Sequence, residues 1–292
     1  MKNTSYYFLS QFISYLTGQD RSRHTIINTE TNLACFFRWF NETNGYIPEP
    51  KDITSVDLRE YQSHLRKRHA PSTTNTFFAV LKSFLRWSER EGFVKKIPDF
   101  PRRIPIQKGA PQALDRTEQN RLLRVAERQG KTRDLAILRV LLSCGLRVSE
   151  LTSLKETDLD FGERHGFLVV RSGKGNKYRE VPVPAEARNA VQTWLKEKGK
   201  RYPETEWLFC NKNGEQMTTR YIQQIIKNYG RFADVKVHPH TLRHTAATNM
   251  LNVDKDLVAV AQIMGHSSLT TTALYTRPNK QRIMEIAAKG EI

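Results

Sequence analysis

Apolar side chains recur at helical spacing through the first hundred residues. Leu33, Phe36, Phe37 and Phe40 fall at i, i+3, i+4 and i+7, and Phe77, Leu81, Phe84 and Leu85 make a similar stripe. The pattern predicts four helices near 4–17, 23–42, 55–68 and 72–91. Aromatic stripes of this kind read as core, and the basic residues between them (Arg66, Lys67, Arg68, Lys82, Arg86) as a solvated face. On a nucleic-acid-binding protein such a face follows phosphates.

Beyond residue 112 the pattern becomes mixed. Asp115 followed by Glu118 has the spacing of a capping box, which opens a helix. A helical run reaches Leu142 and ends at Gly145, and a short helix resumes through Val148-Ser149-Glu150-Leu151. Residues 166–171 and 179–184 predict two strands joined by the polar, glycine-rich stretch Ser172-Gly173-Lys174-Gly175-Asn176-Lys177. Helices follow near 185–199, 218–233, 240–252, 255–264, 268–276 and 279–288.

Between the two patterns lies PDFPRRIPIQKGAP, residues 98–111, with four prolines and three basic side chains. Proline at that density blocks helix and removes backbone donors, so the stretch reads as an extended linker. The expected organisation is a helical domain over 1–97, the linker over 98–111 and a second domain over 112–292. A length of 292 residues fits about two domains.

Charge points to a partner. Forty-seven Lys and Arg against 30 Asp and Glu give +17. The excess is shared, +7 over residues 1–108 and +10 over 109–292. A distributed excess suits a polyanion contacted along much of the chain, because each neutralised phosphate releases counterions. Two basic lobes on a basic linker suit a clamp around a duplex. The longest apolar run, Leu135 to Leu142, is interrupted by Arg139 and falls far short of the ~20 residues that span a bilayer. Cys35, Cys144 and Cys210 stand far apart with no CxxC, and the N-terminus lacks a continuous apolar secretion segment. A reducing cytoplasm is the expected compartment.

Seven positions carry the candidate chemistry. Arg147 follows the glycine break at a helix start, with Glu150 one turn on. Lys174 sits between two glycines at the hairpin tip. His240 and Arg243 are i and i+3 on one helix face, His266 follows Gly265, and Tyr275 comes nine residues later. Each alone has an ordinary structural explanation. The histidines His238, His240 and His244 cluster, yet His240-Thr-Leu-Arg-His244 lacks the glutamate of HExxH, and an arginine inside a zinc shell is adverse. No metal or other cofactor is expected. There is no GxxxxGK[ST] loop for ATP, and no carboxylate cluster for two-metal hydrolysis.

As a set these residues change the picture. Gly-Leu-Arg147-Val-Ser-Glu150-Leu is followed by Gly-Lys174-Gly-Asn-Lys-Tyr-Arg-Glu-Val-Pro and Pro-His240-Thr-Leu-Arg243-His-Thr-Ala-Ala-Thr. Met-Gly-His266-Ser and Thr-Thr-Ala-Leu-Tyr275-Thr complete the order. The chain thereby resembles the tyrosine recombinase (phage integrase) family, in particular its compact Xer-like members that resolve plasmid, chromosome or transposon multimers. The motifs cover much of residues 112–280; the helical N-terminal lobe matches by architecture. Cys144 stands where many members have threonine, and Met264 where leucine is usual.

The resemblance implies a mainly α fold with a small β-sheet (α+β), in which a four-helix, SAM-like core-binding domain precedes the catalytic domain. It implies a site-specific DNA recombinase that cleaves and rejoins strands through a 3′-phosphotyrosyl intermediate and a four-way junction. Tyr275 is then the nucleophile, Arg147 and Arg243 the phosphate clamp, Lys174 the general acid and His240 a proton acceptor or phosphate ligand. His266 is a further phosphate- or nucleophile-positioning donor, and Glu150 holds an arginine or histidine in place. The implied partner is double-stranded DNA, bound by a homotetramer on paired sites. The helix from Asn279 to Ala288 docks either on a neighbour or on its own domain. Competing readings are a type IB topoisomerase-like nicking and resealing enzyme and an inactive DNA-binding relative. Tyr221 and Tyr229 are the alternative tyrosines, expected to serve packing or DNA stacking.

Overall fold

The computed structural model describes residues 4–106, 113–163, 165–171, 178–253 and 256–265. Lys174, His266 and Tyr275 lie outside them, as do the helices expected near 268–276 and 279–288. The chain divides into two compact units, residues 1–107 and 108–292. The architecture is mainly helical with one small sheet.

The first unit holds α1 (Thr4–Gly18), α2 (Arg23–Asn44), α3 (Ser55–Arg66) and α4 (Pro71–Arg90). Local chemistry sets their ends. The Ser22 hydroxyl accepts from the Thr25 amide to open α2, Gly45 closes it in the left-handed region, and Thr54 with Asp57 forms a capping box on α3. Leu33, Phe36, Phe37 and Phe40 of α2 meet Phe12, Tyr61, Leu81, Phe84 and Leu85 in one core. On α4 the buried aromatic at the head of the stripe is Phe78, not the expected Phe77. Each residue turns the helix by about 100°, so Phe77 falls on the border of the buried face, half-buried against His69. Arg66, Lys67, Arg68 and Arg86 are exposed as expected, while Lys82 is half-buried over the Phe100 ring.

After α4 the proline-rich stretch is extended through residue 106 and fixed to this unit. Asn75 donates from Nδ2 to the Ile104 carbonyl at 2.8 Å and accepts from the Ile104 amide at 3.0 Å. Gln62 donates to the Arg102 carbonyl at 3.1 Å, and Phe100 packs edge-on against Phe78. Side-chain amides thus supply partners to a strip whose prolines break any regular ladder.

The second unit is built around α6 (Thr132–Cys144), buried on nearly every side through Ala136, Ile137, Leu138, Val140, Leu141 and Leu142. A helix that is apolar all round belongs in a core. Arg139 interrupts this apolar run, reaching outward to Glu127 and Glu186. Around it stand α5 (Arg116–Arg128), α8 (Ala185–Arg201) and α10 (Pro239–Val253). The capping box of Asp115 and Glu118 opens α5. The antiparallel sheet β1 (Leu159–Phe161), β2 (Gly166–Val170), β3 (Arg179–Pro182) aligns Leu168 with Leu159 on one side and Val181 on the other. Strand β1 was not expected; three residues are too few to display alternation. The remaining helices are α7 (Val148–Thr152), α9 (Thr219–Ala233) and α11 (Leu257–Met264). Among the described residues no helix is long and apolar enough to cross a membrane.

Candidate active site

The site grows from the break between α6 and α7. Helix α6 stops at Gly145, whose φ of +62° and crowding against the Met264 sulfur leave no room for a side chain. The chain turns through buried Leu146 and re-enters helix at Arg147, the N-cap of α7. Glu150, three residues on, accepts from the Arg147 amide at 2.8 Å and from its guanidinium Nη1 at 2.7 Å. One carboxylate therefore caps the helix and aims the arginine.

Glu150 is only 3% exposed. It takes a second, two-pronged contact from Arg179 of β3, at 3.0 and 2.8 Å, and stands 4.0 Å from the Arg243 guanidinium. Burial alone would raise its pKa, but the hydrogen bonds of Arg179 and of the Arg147 backbone, with the arginine charges, hold it below the usual carboxylate value. A carboxylate shared by three guanidiniums is a fixed anionic hub.

Arg243 projects from α10 into the interior, its side chain 6% exposed, and donates to the Gly145 and Met264 carbonyls. Arg147 is far more open, with 41% of its side chain exposed, and donates to the Gly265 carbonyl at 3.1 Å. His240 lies exposed in the first turn of α10, one turn before Arg243. His238 accepts the Thr241 amide at the head of that helix; burial first, then the charges of His240 and Lys236, lower its pKa. Arg147, His240 and Arg243 line one cleft of about 990 Å³ between α7, α9 and α10. Lys227, Arg231 and Lys236 share its walls, with Asp234 as the acid among them.

Four of the seven candidate residues thus fall together: Arg147, Glu150, His240 and Arg243. Lys174, His266 and Tyr275 lie outside the described residues, but the chain enters and leaves the hairpin loop at Arg171 and Tyr178, and Gly265 is the last described residue before His266. Among the described residues no three of His, Cys, Asp and Glu stand close enough to share a metal ion. Of the other tyrosines, Tyr229 is buried in the core with its hydroxyl on Asp134, and Tyr221 is exposed on α9 under the Arg133 guanidinium.

Arg179 is the residue that sequence reasoning passed over. The signal was present: on a strand, Arg179 shares parity with buried Val181, and a charge on the inward face requires a partner.

Comparison with known proteins agrees with this geometry. The sequence profile of the phage integrase family matches residues 112–282, and that of the phage integrase N-terminal SAM-like domain matches residues 8–92. Tyrosine recombinase XerA of Pyrococcus furiosus is 32% identical over 288 residues, covering 97% of this chain and 94% of its own. Tyrosine recombinase XerC of Alcanivorax borkumensis is 34% identical, covering 95% and 91%. Among solved structures, XerA recombinase matches at 30% identity and a TM-score of 0.55 over 98% of this chain and 99% of that one. The XerH site-specific recombinase in its post-cleavage complex with difH shares the fold, at 23% identity and a TM-score of 0.79 over 96% and 83%. The chain belongs to the phage integrase family of tyrosine recombinases.

Proposed function

We propose that this protein is a site-specific DNA recombinase that breaks and rejoins strands through a covalent bond between Tyr275 and the 3′-phosphate. The observation that carries the reading is the pairing of Arg147 and Arg243 around one buried carboxylate in a cation-lined cleft. Planar guanidiniums bind non-bridging phosphate oxygens with directed donors and offset the charge of the transition state. The open Arg147 is suited to receive the phosphate, and the enclosed Arg243 to anchor the site floor.

The chemistry follows from balance. The Tyr275 phenol oxygen attacks phosphorus, its proton passing to His240, and the bond from phosphorus to the 5′-oxygen breaks. That oxygen leaves with a proton from Lys174. His266 assists by binding phosphate or placing the nucleophile. A phenol with a pKa near ~10 is a fair leaving group in the reverse step, so rejoining needs no nucleotide. A homotetramer on two paired duplex sites would exchange strands one pair at a time through a four-way junction. The segment from Asn279 to Ala288 would link neighbours, and the cytoplasm would be the compartment of such work. The full-length Xer relatives favour recombination over simple nicking and resealing.

The test uses purified full-length protein and a nicked suicide duplex, its sequence selected by the protein from a random pool. A covalent adduct is expected from the unaltered chain and none from Tyr275→Phe at equal DNA binding. An adduct in that variant would assign the wrong nucleophile. Supercoil relaxation without site pairing would favour the topoisomerase reading.

A further inference from the structure

Three consecutive carbonyls at the end of α11 are each held by a different arginine. Arg179 Nε donates to Ile263 at 3.1 Å, Arg243 to Met264, and Arg147 Nη2 to Gly265 at 3.1 Å. The last carbonyls of a helix have no partner within it and carry the negative end of its dipole, so cations suit them. The same three arginines surround Glu150.

Their situations differ. Arg147 and Arg243 line the cleft, and on the reading above both acquire a phosphate as competitor for the α11 carbonyls. Arg179 is not among the cleft-lining residues; its side chain is 13% exposed, with both η nitrogens on Glu150 and Nε on Ile263. It also leaves no room for a side chain at Gly265, where a Cβ would lie 2.9 Å from its guanidinium carbon. Its strand, β3, begins one residue after the described chain resumes beyond the Lys174 loop.

We propose that Arg179 is a positioning residue of the recombination site, fixing Glu150 beneath Arg147 and holding the end of α11 from which the chain runs on to His266. The inference rests on the proposed reaction for the roles of Arg147 and His266. Arg179 is the link between β3, α7 and α11 that persists once phosphate draws on the other two arginines. Only a planar fork with a third donor along its edge satisfies carboxylate and carbonyl together; lysine cannot.

The experiment compares Arg179→Lys and Arg179→Gln with the unaltered chain in thermal melting, DNA affinity and single-turnover cleavage of the suicide duplex across pH. Both variants are expected to bind DNA normally and cleave ~10- to ~100-fold more slowly, the lysine variant retaining more activity. Glu150 is faced by Arg147 from its own helix, Arg179 from β3 and Arg243 from α10. Without Arg179 its burial is less opposed, so cleavage by Arg179→Gln falls off on the acid side, at pH values where the unaltered chain holds its rate. Unaltered cleavage, or a loss that follows the unfolded fraction equally at every pH, overturns the proposal. If the unaltered chain forms no adduct, the proposed reaction fails, and amide hydrogen exchange decides the positioning role separately. Faster exchange confined to residues 257–265 in Arg179→Gln supports it, and unchanged exchange there overturns it.

Discussion

Arg147 and Gly265, 118 residues apart in sequence, are joined by a hydrogen bond of 3.1 Å from the guanidinium Nη2 to the glycine carbonyl. The bond ties the turn between α6 and α7 to the end of α11. It holds the most open of the three arginines around Glu150 against the residue that precedes His266 in sequence. A phosphate entering the cleft meets a guanidinium already oriented by Glu150, so little rearrangement is needed before charge can be stabilised.

Glu150 should be the costliest single loss in this unit. Glu150→Ala leaves Arg179 and Arg243, both enclosed, without their shared counter-charge. Removing one partner of a buried ion pair costs about 3–5 kcal/mol, to be read as the drop in unfolding free energy in urea at neutral pH. The pH dependence has a definite sign. A carboxylate held below its ordinary pKa stabilises the native state above that ordinary value, ~4.3, and the contribution disappears as acid titrates through the lowered native pKa.

Histidines should add a second, milder acid sensitivity. His238 and His244 both have lowered pKa values, burial being the leading cause in each. The unfolded chain takes up protons near pH ~6.5 while the native state still resists, so stability is full above that value and declines below it. His238→Asn preserves a good N-cap at the head of α10 but removes one titrating group. Its urea midpoint should vary less over a range of about one pH unit either side of ~6.5. Identical slopes in both proteins would contradict the assignment.

Two glycines allow strain and crowding to be separated. Gly130 and Gly145 share a positive φ, +66° and +62°, but an added Cβ meets nothing within 4 Å at Gly130 and the Met264 sulfur at 2.6 Å at Gly145. Gly130→Ala should cost about 1 kcal/mol, the backbone term alone. Gly145→Ala should cost ~1–3 kcal/mol more, because Met264 is fully buried and must shift. Equal losses in thermal unfolding would show that Met264 yields freely.

Asn75 should govern the proteolytic sensitivity of the proline-rich strip. Its paired bonds to Ile104 fix a backbone that carries Arg102 and Arg103. Asn75→Ala is expected to speed tryptic cleavage after those arginines several-fold at most of the original stability, with Gln62 and Phe100 still holding the strip. Cleavage at an unchanged rate would mean the side-chain amide contributes nothing to its order.

Much of this molecule is written in local pattern. Helix ends at Ser22, Thr54, Asp115 and Gly145 follow from contacts within one turn, so neighbouring residue types suffice to predict them. The candidate residues Arg147, Glu150, His240 and Arg243 were legible because their types and order resemble one family's motifs. Tertiary structure alone decided who holds whom. Arg179 meets Glu150 across 29 residues and Ile263 across 84, and Asn75 meets Ile104 across 29. It also decided that Phe78 is buried more deeply than Phe77, and that three residues at β1 pair with β2. Such contacts depend on how faces of separate elements meet, and the spacing of residues along one element carries no record of its neighbour's position.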